Sequence, residues 1–511
     1  MIIVLDFGGQ SVHLIARRIK DLGANAEVLP YYAKFDEIRK RNPQGIILSG
    51  GPAAISGANA IYPDMRIFDL KVPLLGICYG EQLIAMHCKG KLARRGEQNE
   101  YGKEMMGIGG GSVLFKGLDK SEQVWMSHGD AVTALPRDFE VTGSTQKCAV
   151  AAFENHGRKL YGLQFHPEVA HTKNGSKMLS NFVFNICKSR KDYSLRGLDK
   201  KLMEEVRQQA GKDSVLIAVS GGIDSLVTAA LIHQAIPNQL YSVFIDTGLM
   251  REGEVAETDK FFKQMRFRHF EVVDASGIFL RKLKGVGDPE QKRKIIGHTF
   301  IEVFERKVRE LGTKANIKFL AQGTIYPDRI ESAQASHVAE KIKSHHNLTL
   351  PEKMNLKLIE PLKDLYKDEV RELGEMLGLP HKRVWRQPFP GPGLAIRILG
   401  EVTQERVEIV RKADAIFREE IAAAGLEEKI WQYFAALLPL KTVGVMADER
   451  TYEYIITLRA VTSKDAMSAD WAKIPADVLE KVSTKISNNV RGVNRVLYDI
   501  SQKPPATIEY E

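Results

Sequence analysis

Four cysteines in 511 residues are too few to staple a fold of this size. Cys78, Cys88, Cys148 and Cys187 also lack the C-x-x-C spacing of common metal sites. No run of about 18 apolar residues is present, so no membrane-spanning helix is expected. The opening Met1-Ile2-Ile3-Val4-Leu5-Asp6 has no basic flank and reads as a first strand, not a signal peptide. No glycine loop ends in G-K-[ST], which excludes a Walker A phosphate loop. Internal repeats and low-complexity tracts are missing as well. Together these absences predict a reduced, cytoplasmic protein without a membrane partner.

What is present is ordinary for a globular chain: 44% hydrophobic and 27% charged residues. The length predicts roughly two to four domains. The net charge of +9 fits either nucleic acid or small polyanions such as nucleotides. The basic residues are scattered and form no stripe interleaved with aromatics, so no nucleic-acid partner is expected.

Apolar strands alternate with helical patterns in the first part: 2–7 then 12–22, 45–48, and 72–77 then 81–87. That alternation predicts a mostly parallel α/β domain over 1–189, closed by a strand at 159–165. The polar stretch 189–193 reads as a linker. A second α/β domain is expected over 190–386, with a helix at 198–209 and strands at 215–219, 240–246, 269–274 and 319–322. The cluster Gln387-Pro388-Phe389-Pro390-Gly391-Pro392-Gly393 opens a third region, 387–511. Helices at 404–424 and 476–490 flank apolar runs at 442–446 and 452–460 there. The fold class expected is two parallel-sheet α/β domains followed by a small α+β domain.

Three segments of the first domain carry chemistry. Gly76-Ile77-Cys78-Tyr79-Gly80 follows a strand and precedes a helix, which is the cysteine form of a nucleophile elbow. The helix N-terminus favours a thiolate at Cys78. His166 ends an apolar strand in Gln164-Phe165-His166-Pro167-Glu168, and Glu168 is close enough to orient its imidazole. Backbone N–H groups of Gly51, in Ser49-Gly50-Gly51-Pro52, and of Tyr79 are expected to form an oxyanion hole. Taken alone, a glycine turn is as readily structural. Together, these segments resemble class I glutamine amidotransferases. The resemblance implies glutamine hydrolysis through a thioester at Cys78. It also implies that Gln82, Ser127, His128 and Asp130 hold the glutamine.

In the second domain the strand 215–219 runs into Ser220-Gly221-Gly222-Ile223-Asp224-Ser225-Leu226. A strand, a glycine turn and a helix N-terminus make an anion site. The segment resembles the pyrophosphate loop of the ATP pyrophosphatases, which cleave ATP between its α- and β-phosphates. ATP is then the cofactor, contacted by Ser220, Gly221, Gly222, Ile223, Asp224, Ser225 and Leu226. Ile245, at the carboxyl end of the next strand, is expected against adenine. Asp224 is expected to face Mg²⁺. Asp328, Glu331, Lys343, His345 and His346 form a segment with carboxylates and cations for the departing pyrophosphate; a solvated helix end and a surface loop explain it equally well.

The amidotransferase–pyrophosphatase fusion, Lys292-Arg293-Lys294-Ile295-Ile296-Gly297, the turn 388–394 and the terminal Lys503-Pro504-Pro505-Ala506-Thr507-Ile508-Glu509 resemble GMP synthases (glutamine-hydrolysing) over the whole chain. That resemblance implies adenylation of XMP by ATP and its amination to GMP. It places Arg293, Lys503 and Glu509 at XMP, with help from Arg383, and makes 387–511 an XMP-binding and dimerisation domain of a homodimer. Two departures from the family pattern are Leu348-Thr349-Leu350 in the lid and Ala447 at a turn. Other readings stay open from the residues: another glutamine-dependent ligase such as an NAD⁺ synthetase, or a nucleotide-binding regulator. The first usually carries a nitrilase-like glutaminase, and the second would have lost Cys78, His166 or Asp224.

Overall fold

The computed structural model describes every residue except 10, 56, 58–59, 94–98, 313–314, 329–355, 447 and 464–467. The chain divides into two compact units, Met1–Ser194 and Leu195–Glu511.

The first unit is built on one nine-stranded sheet. Its strands are β1 (Ile2–Asp6), β2 (Ala26–Pro30), β3 (Gly45–Leu48), β4 (Leu74–Ile77), β6 (Glu100–Ile108), β7 (Ser121–His128), β9 (Glu140–Ser144), β10 (Ala152–Asn155) and β11 (Leu160–Leu163). A separate pair, β5 (Lys91–Ala93) and β8 (Ala131–Ala134), completes the numbering. The sheet order is β2-β1-β3-β4-β11-β10-β9-β6-β7. The first five strands run parallel, as the alternating pattern predicts. The remaining four join antiparallel, and the expectation of a mostly parallel sheet fails there. The reason is local: only four residues separate β10 from β11, too few for a crossover. Burial follows topology. β3, β4 and β11 are buried at every position, whereas β6 and β7 alternate, with one face towards solvent.

In the second unit, β12 (Ser214–Val219), β13 (Leu240–Asp246), β14 (His269–Asp274), β15 (Ile317–Ala321) and β16 (Lys357–Ile359) form an all-parallel sheet, ordered β14-β13-β12-β15-β16. The region after residue 387 carries its own sheet. There β17 (Gln432–Met446) and β18 (Glu449–Thr462) make a long hairpin, with β19 (Asp470–Trp471) and β20 (Val493–Asp499) both on β18. The helices Gln404–Ala423 and Ala476–Asn489 cover it. One core joins the two sheets of this unit: Leu216 and Val243 belong to the same buried cluster as Val407, Phe417 and Ile456.

Candidate active sites

The peptide of Leu74–Ile77 is fully buried, and the chain turns from it straight into the helix Tyr79–His87. Cys78 is the hinge, at φ +52° and ψ −106°. A non-glycine residue there stores about 1–3 kcal/mol of backbone strain. The turn is possible because its neighbours have no side chains. A Cβ on Gly80 would collide with Leu48, and one on Gly76 with Gly80 itself. Cys78 is 8% exposed, its N–H donates to Leu163 O at 2.7 Å, and its Sγ lies 3.7 Å from Ser127 O.

His166 Nδ1 lies 2.7 Å from Glu168 Oε1. Burial opposes charging this imidazole, but Glu168 and Cys78 outweigh it and hold it well above its usual range. Glu168 is completely buried and accepts a second hydrogen bond from Ser11 Oγ at 2.5 Å. Such a charge-assisted bond is worth about 1.5–3 kcal/mol. Thr172 Oγ1 donates to His166 O at 2.6 Å and accepts from Trp125 N–H at 3.1 Å, tying the strand end in place. Neither Ser11 nor Thr172 was expected. Ser11 is 157 residues from Glu168 and carries no motif. Gly50 closes the other side, where a Cβ would stand 3.0 Å from His166 Cε1.

The residues expected at glutamine gather around this elbow. Gln82 is buried, its Nε2 donating to Asp130 O at 2.8 Å and to Gln164 Oε1 at 3.1 Å. It therefore braces the turn Ser127–Asp130. The His128 ring points into the protein, with Nδ1 3.0 Å from Asp130 O. Gly51 packs against Phe7 O, and the Tyr79 hydroxyl is held by the backbone of Ile61. Glu81, in the same helix, is fully buried, with neither carboxylate oxygen hydrogen-bonded among the described residues. Burial first, and then Cys78, push its carboxyl well above the usual range.

In the second unit, β12 ends at Val219 and the helix Ile223–Ala235 begins four residues later. Between them the serines tie the loop to itself. Ser220 N–H donates to Ser225 Oγ at 3.2 Å, Gly222 N–H donates to Ser220 Oγ at 3.3 Å, and Ser225 Oγ donates to Gly222 O at 3.0 Å. Gly323 comes so close to Asp224 that a Cβ would stand 2.8 Å from its carbonyl carbon. Asp224 Oδ2 lies 3.5 Å from Lys367 Nζ, while Oδ1 is buried and has no hydrogen-bond partner among the described residues. Burial raises the Asp224 pKa above the usual carboxylate value, and Lys367 works against that. Lys367 was not expected; its segment carries no turn or glycine signal. Leu226 and Ile245 are buried in the core, and Asp328 Oδ2 accepts from Ile325 N–H at 3.1 Å. Glu331, Lys343, His345, His346, Leu348–Leu350 and Ala447 lie outside the described residues.

A cavity of about 490 Å³ opens beyond the carboxyl ends of β13 and β14, lined by Asp246, Gly248, Arg251, Ser276 and Arg411 among others. The residues expected at XMP are separately engaged. Arg293 pairs with Glu290 at 2.7 Å, and the Lys503 backbone pairs with Ala469. Glu509 sits in the fork of fully buried Arg397, at 3.0 and 3.2 Å, and accepts from Gln432 Nε2 at 2.6 Å. Phe389, from the proline–glycine turn, is flanked by the guanidiniums of Arg251 at 4.5 Å and Arg397 at 5.2 Å. Arg383 donates to Glu257 O at 2.9 Å and lies over Phe261.

Three family profiles match along the chain. They are "Glutamine amidotransferase class-I" over residues 3–186, "NAD synthase" over 195–293 and "GMP synthase C terminal domain" over 419–510. The GMP synthase [glutamine-hydrolyzing] of Clostridium botulinum (strain Kyoto / Type A2) is 52% identical across 100% of this chain and 99% of its own length. The chain belongs to the GMP synthase family. The GMP synthases of Clostridium tetani (strain Massachusetts / E88) and Clostridium novyi (strain NT) are 51% and 52% identical over the same shares. The amidotransferase profile falls within the first unit, and the other two fall within the second. Among the described residues no helix is long and apolar enough to cross a membrane.

Proposed function

We propose that this protein makes GMP from XMP, ATP and glutamine, releasing AMP, diphosphate and glutamate. One observation carries the reading. A chain matched end to end by GMP synthases keeps the cysteine elbow beside an imidazole–carboxylate pair closed at 2.7 Å.

In the first unit, Cys78 Sγ attacks the amide carbon of glutamine, and His166 takes the thiol proton and returns it to the departing ammonia. Glu168, fixed by Ser11, holds Nδ1 of the ring. The N–H groups of Gly51 and Tyr79 receive the developing oxyanion. The turn Ser127–Asp130, braced by Gln82, borders the glutamine. Water then hydrolyses the thioester to glutamate.

In the second unit, the loop 220–225 cradles the ATP phosphates through backbone N–H groups at a helix start. The C2 oxygen of XMP attacks the α-phosphorus, diphosphate leaves, and ammonia displaces AMP. Asp224 Oδ1, which has no hydrogen-bond partner among the described residues, is a hard oxygen donor and fits Mg²⁺. Such a cation would screen phosphate charge there. Lys367 is a second positive group at the same carboxylate. Arg293, Lys503 and Glu509 are assigned to XMP, with Arg397 orienting Glu509. The lid assignment of Asp328, Glu331, Lys343, His345 and His346 rests on the sequence.

A homodimer is part of the same reading. Val443, Val445 and Tyr452 stand exposed on the β17–β18 hairpin, with Val443 opposite Tyr452, as an apolar strip suited to a second copy. A cytoplasmic setting fits four free cysteines.

The test is Cys78→Ala. Glutamine-driven GMP formation falls by about 10⁴-fold or more, while ammonium still drives it at the original rate. Appearance of ADP in place of AMP, or inertness towards XMP, defeats the reading.

A further inference from the structure

Behind the turn Ser127–Asp130 lies a second set of donors, of which Glu100 and Cys148 have no part in the glutaminase chemistry and His128 enters it only through the turn it belongs to. Glu100 opens β6, His128 ends β7 directly opposite it, and Cys148 lies in the loop before β10. Their donor atoms all lie within 4.8 Å of one another, and each residue is at most 3% exposed.

The hydrogen bonds fix how these groups face each other. Asp130 O only accepts, so the bond to His128 Nδ1, at 3.0 Å, places the ring proton on Nδ1. In the neutral ring, Nε2 then presents a lone pair. Among the described residues it has no hydrogen-bond partner, and it stands 3.6 Å from Glu100 Oε2. That distance is too long for a hydrogen bond in any protonation state. A lone pair facing a buried carboxylate is repulsive unless a proton or a metal ion relieves it, and the 3.6 Å gap is wider than a shared proton spans. Glu100 is held in place by Thr145 Oγ1, 2.7 and 2.9 Å from its two oxygens. The same hydroxyl accepts from Cys148 N–H at 3.0 Å, and the Cys148 thiol meets Val150 O at 3.4 Å. An imidazole whose other nitrogen donates to a carbonyl, beside a hydrogen-bonded carboxylate, is the usual outer support of metal ligands.

We propose that Glu100, His128 and Cys148 form a structural site for a borderline-soft divalent cation of the zinc class. The mixed nitrogen, sulfur and oxygen set suits Zn²⁺ or Co²⁺ and not Mg²⁺ or Ca²⁺. On binding, the Cys148 thiol passes its proton to solvent and its sulfur pair goes to the metal. Two positive charges then meet one thiolate, one carboxylate and a neutral imidazole, so the buried site carries no net charge. Its effect would be to stiffen the turn whose Ser127 O lies 3.7 Å from Cys78 Sγ. The inference does not depend on which acceptor the second unit aminates.

The experiment loads the full chain with Zn²⁺ or Co²⁺ alone, removes loose metal by gel filtration, and measures content by elemental mass spectrometry. Wild type is expected to keep roughly one ion per chain. The cobalt form should show a thiolate-to-metal band in the near ultraviolet. Cys78→Ser keeps both; Cys148→Ser loses both. Glu100→Gln, which retains the thiol, holds the metal at least about tenfold more weakly. A rise in wild-type melting temperature with Zn²⁺ but not with Mg²⁺ supplies a readout that needs no variant. The proposal is overturned if wild type retains no more metal than Cys148→Ser. It is equally overturned if the cobalt band disappears in Cys78→Ser and survives in Cys148→Ser.

Discussion

Each unit contains a parallel strand that runs through a glycine turn into a helix, and the two junctions end as different devices. At Cys78 the turn is tight and buried, its glycines pressed against Leu48 and against each other, and the cysteine backbone is held at φ +52°. At Ser220–Ser225 the loop is longer and more exposed, tied by serine hydroxyls and closely packed where Gly323 meets Asp224. In the proposed function, the first geometry would present one reactive atom with its base at hand, and the second would offer helix-start N–H groups to an extended anion. The same strand–turn–helix grammar would then serve a nucleophile where the turn is buried and a phosphate cradle where it is exposed.

The contrast predicts separable failures. Asp224→Asn should have the broadest effect, lowering GMP formation by about 10³-fold with either glutamine or ammonium. Glutamine hydrolysis assayed alone should persist. Equal loss of both activities would mean that the junctions do not act as separate devices.

Glu168→Gln comes next, with glutamine-driven turnover down about 10²- to 10⁴-fold and ammonium-driven turnover untouched. It also has a signature in pH. Burial lowers the His166 pKa, but Glu168 and Cys78 raise it above the unfolded value, about 6.5. The protonated ring therefore contributes its full stability below about pH 6.5 and loses it as pH rises through the folded pKa. Removing the Glu168 charge should flatten that loss, as followed by urea midpoints against pH.

Ser225→Ala is the mildest of these changes. It removes hydroxyl links to Ser220 and Gly222 from an exposed loop. An increase of about tenfold in KM for ATP is expected, from roughly 1.4 kcal/mol, with no change in KM for glutamine. A shift in the glutamine parameter would contradict the assignment of the serine network to phosphate.

How far the chain could be read in advance depended on the range of each signal. β3, β13 and β14 were legible to the residue because an apolar run bounded by turn residues is a local pattern. The elbow and the imidazole–carboxylate pair were legible for the same reason, each lying within a few residues. The antiparallel half of the first sheet was not, since direction follows from hairpin length and not from the strands' own pattern. Ser11 and Lys367 escaped too: each reaches its carboxylate across more than 140 residues, and nothing beside either marks it. The fork of Arg397 around Glu509 was hidden likewise, though both residues stood in recognisable segments.

The backbone angle at Cys78 has a meaning for inheritance. Alanine at this position keeps the strained turn, whereas glycine can relax it. Of two equally inactive variants, Cys78→Gly is therefore expected to melt higher than Cys78→Ala. Drift that conserved only the fold would favour glycine at position 78. The cysteine persists only while turnover itself is under selection, so a lineage supplied with ammonia and freed from glutamine would be expected to lose this residue before the rest of the site decays.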